Sequence, residues 1–149
     1  MVPPNPLIHS MAFWNSPGVD LPMTKRSKIL SITIDATTLW TANRHLGGGG
    51  HYDARGWLGH PAHYHTGYKC AGLNEGCLVA RIAKEGVMLI FAFDSPNVVV
   101  SGGKIQLELD VPADVSGSLD LGINDTYGGL GDNDGILNIL DISWKERPR

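Results

Sequence analysis

The sequence predicts an all-β protein, and specifically an antiparallel β-sandwich of the jelly-roll type. Short segments alternate apolar and polar residues, and turn signals recur at intervals of roughly 8–12 residues. No window longer than about ten residues carries the apolar spacing of a helix. The 19 glycines and 9 prolines among 149 residues also favour turns over helices. The length suits one domain, which we predict to span residues 1–149.

Seven or eight predicted strands follow one another along the chain. KILSITID and KIQLELDV alternate apolar with polar side chains, and GSLDLGI repeats the pattern near the end. CLVARI and VMLIFAF are apolar runs rich in β-forming residues, and the intervening AKEG predicts a hairpin turn. In the last segment, ILNILDI, we predict that Ile136, Leu140 and Ile142 lie on one face.

Charge and hydropathy argue against two classes of function. A formal net charge of −3 disfavours a general nucleic-acid-binding protein, because neutralising phosphates requires a basic surface. No apolar run approaches the roughly 20 residues that span a bilayer, so we expect no membrane insertion. The first residues lack the basic and then apolar pattern of a secretory signal. We therefore expect a protein that stays in the cytoplasm, leaves by another route or is processed.

The two cysteines, Cys70 and Cys77, allow two interpretations. A disulfide between them would close a short loop and stabilise the fold modestly. Two half-buried thiols fit the sequence equally well. A four-cysteine zinc site is excluded by number alone.

The segment GINDTYGGLGDNDG, residues 122–135, concentrates oxygen-bearing side chains near the end of the chain. It holds three aspartates, two asparagines and five glycines. Calcium takes about six to eight oxygen ligands, and glycines let backbone carbonyls turn inward. An EF-hand is rejected, because Leu130 would occupy its first ligand position. The chemistry leaves two interpretations open, a cation site and a polar hairpin turn.

The same segment resembles the C-terminal end of the PA-IL-like family of small, calcium-dependent, galactose-binding bacterial lectins. Asp132 and Asn133 follow Asp125 at intervals of seven and eight residues, and Gly135 and a final strand come next, as in that family. GCLVARI, SITI with the following Trp40, and FWNSPGVDL resemble earlier strands of the family. The resemblance covers the chain from about Trp14 to Ile142.

The resemblance implies a galactose-binding-domain-like jelly roll that holds one Ca²⁺, to which the 3- and 4-hydroxyls of a galactoside bind. It implies metal ligands at Asn43 (or Ala42, through a carbonyl), Asp125, Gly129, Asp132 and Asn133. It implies sugar-binding residues at His60, His63, Asp125, Thr126 and Gly129. The expected partners are galactose-containing glycans. Because single sugar sites are weak, we also expect a homo-oligomer, a dimer or a tetramer.

The sequence departs from the family in three places. Gly129 stands where the characterised galactose binders have threonine, and His63 stands where a His-Pro-Asp-Gln segment has its glutamine. The stretch between Ala42 and His60 is longer and contains HLGGGGHY. These departures leave calcium binding better supported than galactose specificity. The alternative function is a carbohydrate-targeting or interaction module of the same fold with a structural calcium and a degenerate sugar site.

A further alternative from another class is a zinc-dependent hydrolase. Residues 41–76 contain five histidines, at His45, His51, His60, His63 and His65. A hydrolase would use His60 or His63 as general base with Asp53 or Asp94 as its partner. No nucleophile motif accompanies them, so we predict that the protein is not an enzyme.

Trp57 lies in the same stretch and is the tryptophan most suited to contact a sugar.

Overall fold

A computed structural model of the chain describes residues 7–9, 14–41, 51–58, 73–84, 87–93, 98–125 and 133–148. None of these residues belongs to a helix that could cross a membrane. They form ten strands and no helix, and the strands are β1 (Leu7–His9), β2 (Asp20–Leu21), β3 (Lys28–Asp35), β4 (Trp40–Thr41), β5 (Leu78–Lys84), β6 (Val87–Ala92), β7 (Val98–Ser101), β8 (Lys104–Val111), β9 (Gly117–Ile123) and β10 (Asp134–Glu146).

The strands form two antiparallel sheets. The six-stranded sheet has the order β1-β10-β3-β8-β7, with β4 also pairing with β10, and the four-stranded sheet has the order β2-β9-β5-β6. The predicted hairpin at AKEG is confirmed, because β5 pairs with β6 and Lys84 lies opposite Val87. The all-β prediction is likewise confirmed. The jelly-roll topology stays a prediction.

The hydrophobic core lies between the two sheets. In β3 and β8 every second side chain is buried over most of the strand, including Ile32 and Leu107. Leu78 and Leu121 of the four-stranded sheet are fully buried as well. All four belong to one cluster that contains strands of both sheets. The sheets therefore pack face to face, as in a β-sandwich.

Strand β10 departs from the predicted pattern. Ile136 and Leu140 are 37% and 40% exposed, whereas Leu137 and Ile139 are buried together with Ile142. A β-bulge just after Ile139 shifts the register against β3, so the alternation changes phase within the strand. The prediction that Ile136 and Leu140 share the core-facing side with Ile142 was therefore wrong.

A second, smaller cluster packs beside the main core. Cys77 and Val79 are fully buried there, with Trp14 and Leu73 packed against them. Cys77 is a thiol in this structure. Cys70 lies outside the described residues.

The sandwich has two ends that differ in what they bury. At the first, which we call the Lys28 end, β3 begins opposite the last residues of β8 and β10. At the second, which we call the Asp125 end, β3 and β9 end and β10 begins. The predicted cation site belongs to the Asp125 end.

Candidate functional site

The oxygen-rich segment connects the two sheets at the Asp125 end. It leaves the four-stranded sheet after Ile123 of β9 and enters the six-stranded sheet at Asp134 of β10. The structure describes both attachments, residues 124–125 and residue 133, but not the residues between them. Any ligand held by both attachments would join the two layers of the sandwich.

Asn124 attaches the segment firmly to the four-stranded sheet. Its backbone N–H donates to the carbonyl of Cys77 at 2.8 Å, and its own carbonyl accepts from the N–H of Gly76 at 2.9 Å. Its side-chain Nδ2 donates to the carbonyl of Asn74 at 3.1 Å. These bonds hold the backbone that leads into Asp125, so Asn124 acts as an anchor for the predicted site.

Asp125 and Asn133 are both buried, with exposed fractions of 4% and 1%. Both residues also make polar interactions. A buried carboxylate beside an amide oxygen in the chain suits a cation, because burial of a carboxylate is unfavourable without a compensating charge, and calcium prefers oxygen ligands. The residues present thus fit the predicted calcium ion.

Trp40 links the two attachments of the segment. It is fully buried in β4, and it pairs with Gly135 immediately after the start of β10. Its indole Nε1–H donates to the carbonyl of Gly76 at 2.8 Å, and Gly76 in turn bonds to Asn124. A continuous set of contacts therefore runs from the start of β10 to the end of β9.

Two glycines permit this close packing. Gly76 and Gly135 have φ angles of +78° and +90°, a region that side chains rarely adopt. A Cβ at Gly76 would overlap the ring of Tyr52, and a Cβ at Gly135 would overlap the carbonyl oxygen of Leu39. Both positions therefore require glycine for steric as well as conformational reasons.

Asp134 follows the buried Asn133 and faces outward. Its Oδ2 lies 2.9 Å from Nε2 of His51, and the two side chains are 59% and 39% exposed. The contact joins the glycine-rich stretch of residues 41–76 to the first residue of β10. His51 is thus engaged with a carboxylate at the edge of the predicted site.

Most of the predicted site residues lie outside the described part of the chain. The structure describes Asp125 and Asn133 of the predicted set. It does not describe Asn43, His60, His63, Thr126, Gly129 or Asp132. Among the residues it does describe, no group of three or more His, Cys, Asp or Glu side chains is placed to hold a metal. The alternative zinc site, whose other histidines are His45, His60, His63 and His65, also lies largely outside that part.

A cavity of about 360 Å³ adjoins the same end of the sandwich. It is lined by Leu39, residues 51–53 and residues 55–58, which include Arg55 and Trp57. Nε and Nη2 of Arg55 donate to the two carboxylate oxygens of Asp53 at 3.1 and 2.9 Å. This hydrogen bond raises the pKa of the Arg55 guanidinium. Asp53, a candidate partner for a histidine base in the hydrolase hypothesis, is instead the partner of Arg55.

Sequence reasoning singled out Trp57 and missed the Asp53–Arg55 pair. Asp53 Oδ1 also accepts the backbone N–H of Arg55 at 2.9 Å. Aspartate side chains favour this local turn, in which they accept the N–H of the residue two positions later in the chain. The Asp-Ala-Arg order therefore carried a local signal for this pair. The anchoring bonds of Asn124 carried none, because their partners lie about 50 residues away in the chain.

Comparisons of the sequence with models of known protein families find no match. A comparison with characterised proteins finds none either. The resemblance to the PA-IL-like lectins therefore remains a prediction that depends on the sequence motifs alone.

Proposed function

We propose that the protein is a calcium-dependent carbohydrate-binding protein that recognises terminal galactose or galactosides. The observation that carries the proposal is the burial of the Asp125 carboxylate, which is 4% exposed. The segment that follows it adds further acidic and amide side chains, of which Asn133 is also buried. A divalent cation would compensate this concentration of negative charge, and oxygen ligands are those that calcium prefers.

The ligands of the proposed site come from both attachments of the segment and from one more loop. Asp125, Asp132 and Asn133 would contribute side-chain oxygens, and Asn43 and Gly129 would contribute backbone carbonyls. A bound Ca²⁺ would supply open coordination positions for neighbouring hydroxyls of a sugar. Asp125 would also accept a hydrogen bond from a sugar hydroxyl.

The remaining sugar contacts would come from residues around the ion. His60 and His63 would bind the 6-hydroxyl, while Thr126 and Gly129 would border the ring. A neutral, well-hydrated sugar is recognised by fixed polar groups that replace its hydrogen bonds to water. The bonds that anchor Asn124 hold the backbone next to Asp125 for this purpose. The protein would bind its ligand without breaking a bond in it.

Assembly would raise the strength of binding. Single sugar sites are weak, and linking several of them increases the effective concentration of each site. We therefore include a homo-oligomer, a dimer or a tetramer, in the proposed function.

Calcium binding by Asp125→Asn tests the proposal directly. Isothermal titration should show that the wild-type protein binds Ca²⁺ and then galactose, and that the variant binds calcium at least about tenfold more weakly, because it loses a charged ligand. Calcium should also raise the melting temperature of the wild type, since a ligand of the folded form alone stabilises that form. Asp141→Asn, an exposed aspartate on β10, is the matched control and should behave as wild type.

Three outcomes distinguish the candidates. Galactose binding that requires calcium and fails in Asp125→Asn supports the proposal. Calcium binding without retention on a galactose matrix supports the alternative, a module with a structural ion and a degenerate sugar site, as the glycine at position 129 favours. Wild-type affinities for calcium and galactose in Asp125→Asn would overturn the shared site.

A further inference from the structure

The cavity along residues 51–58 has the size and the wall of a ligand site. Its volume of about 360 Å³ lies within the range of roughly 300–1,000 Å³ that small-molecule pockets occupy. Its wall combines charged, aromatic and aliphatic side chains, namely those of Leu39, His51, Asp53, Arg55, Trp57 and Leu58. The proposed calcium and galactose ligands are other residues, so the cavity is a separate feature of the surface.

The charged side chains of this wall are compensated within the protein. Arg55 donates from Nε and Nη2 to both carboxylate oxygens of Asp53, which fixes the plane of the guanidinium. Nε2 of His51 lies 2.9 Å from a carboxylate oxygen of Asp134. The wall therefore presents oriented polar groups with little excess charge, which favours a neutral ligand with several hydroxyls over an anion or a cation.

Apolar side chains lie beside these polar groups. Leu39 is 45% exposed and Leu58 is 58% exposed, and Trp57 is half-buried. The backbone N–H of Trp57 donates to the carbonyl of Glu75 at 2.9 Å, which ties this part of the wall to the loop before β5. A sugar ring combines an apolar C–H face with a rim of hydroxyls, so it matches a wall that combines an aromatic surface with fixed polar groups.

The cavity adjoins the proposed ion site. His51 contacts Asp134, which follows Asn133 directly in the chain. Leu39 precedes Trp40, which pairs with Gly135. Both ends of the cavity wall are thus connected to the first residues of β10, where the segment that would hold the ion ends.

We propose that this cavity is a second sugar subsite, which holds the residue linked to the terminal galactose. This inference rests on the proposed function. It assigns the ligand class as an oligosaccharide with a neutral sugar next to its terminal galactose. Trp57 would pack against the second ring, and Arg55 with Asp53 would bind its hydroxyls.

The test compares galactose with a panel of galactose-terminated disaccharides by titration in calcium. We expect at least one disaccharide to bind about tenfold more tightly than galactose, the gain that one or two additional net hydrogen bonds give. Trp57→Ala should bind that disaccharide and galactose with the same affinity. Trp144→Ala, which truncates a partly exposed tryptophan toward the Lys28 end, is the matched control and should keep the tenfold difference.

Leu58→Ser keeps the inference testable if Trp57→Ala does not fold, because Leu58 is mostly exposed. It should reduce the gain from the second sugar. If galactose binds and no disaccharide binds better, or if both cavity variants keep the gain, the subsite is wrong and the proposed function stands. If the wild type binds no galactosyl sugar in calcium, the proposed function is wrong and the subsite falls with it.

Discussion

The two ends of the sandwich each bury a charged side chain, but the two charges have opposite signs. At the Lys28 end, Nζ of Lys28 donates to Oγ1 of Thr24 at 3.3 Å and to the carbonyls of Pro112 and Ala113 at 3.1 and 3.3 Å. Burial lowers the pKa of Lys28 from its usual value of 10.5. The buried ammonium group nevertheless has three oxygen acceptors from its own chain.

At the Asp125 end the buried group is a carboxylate, and its neighbours in the segment have the same sign of charge. Asp132 and Asp134 add negative charge, and Asp134 is directed toward His51. Carboxylate and amide oxygens concentrated in one segment are the ligands that calcium prefers, which is why the proposed function places calcium at this end.

The largest expected effect comes from Gly76→Ala at the Asp125 end. The new Cβ would overlap the ring of Tyr52 in a backbone conformation with φ of +78°. We expect a loss of about 2–5 kcal/mol in the free energy of unfolding, the sum of left-handed strain and overpacking. Urea denaturation measures it. Calcium affinity should fall as well, because Gly76 connects Trp40 to Asn124.

Gly18→Ala is the control for this prediction. Gly18 has a similar φ of +84°, but a Cβ there would meet no atom within 4 Å. It should therefore lose only the strain of the left-handed backbone, about 1–2 kcal/mol, and keep its calcium affinity. Equal losses in the two variants would mean that the packing around Gly76 does not support the site.

The next effect is expected at the Lys28 end, from Lys28→Met. The substitution keeps most of the apolar stem and removes the donor to Thr24, Pro112 and Ala113. We expect a loss of about 1–3 kcal/mol in the free energy of unfolding, because the hydrogen bonds from a charged donor to three oxygens are lost. Lys145→Met, an exposed lysine on β10, is the control and should change stability little.

Urea denaturation also compares the two ends of the sandwich directly. In the presence of a chelator, Asp125→Asn should lower the free energy of unfolding less than Lys28→Met does, because the substitution also removes the cost of burying a carboxylate without its proposed calcium ion. Lys28→Met should lower it under the same conditions. If Asp125→Asn destabilises the chelated protein as much as Lys28→Met does, the two ends do not differ and the Asp125 carboxylate is structural.

The core could be predicted from the sequence where polar and apolar residues alternate. In β8 the expected positions Ile105, Leu107 and Val111 are buried, and the fourth, Leu109, is partly buried. In β10 apolar residues occur at both odd and even positions, so the alternation of apolar and polar residues could not show which face of the strand is buried. The bulge after Ile139 decides the matter, and it depends on pairing with β3 rather than on local sequence.

The two buried charges likewise differ in how far the sequence could predict them. Asp125 is marked in the sequence by the acidic and amide residues that cluster around it, and that clustering is local. Lys28 carried no such signal, since two of its three acceptors lie more than 80 residues away in the chain. Its burial follows from the chain turn between β8 and β9, which sequence patterns do not specify.

The smallest expected effect is a change in acid stability at the Lys28 end, from Glu146→Gln. Oε2 of Glu146 accepts the backbone N–H groups of Arg26 and Lys25 at 2.9 and 2.8 Å. These bonds, led by the one from Arg26, lower the pKa of Glu146 below its usual 4.5. Its stabilising contribution is therefore complete above pH 4.5 and is lost as the pH falls through the lowered pKa.

The Glu146→Gln variant should be less stable than the wild type near neutral pH, and the difference should shrink in acid. Melting temperatures in chelator at a series of pH values measure it, with Glu108→Gln on β8 as the control for loss of an exposed carboxylate. A difference that stays constant down to about pH 3 would show that Glu146 does not stabilise the Lys28 end through its charge.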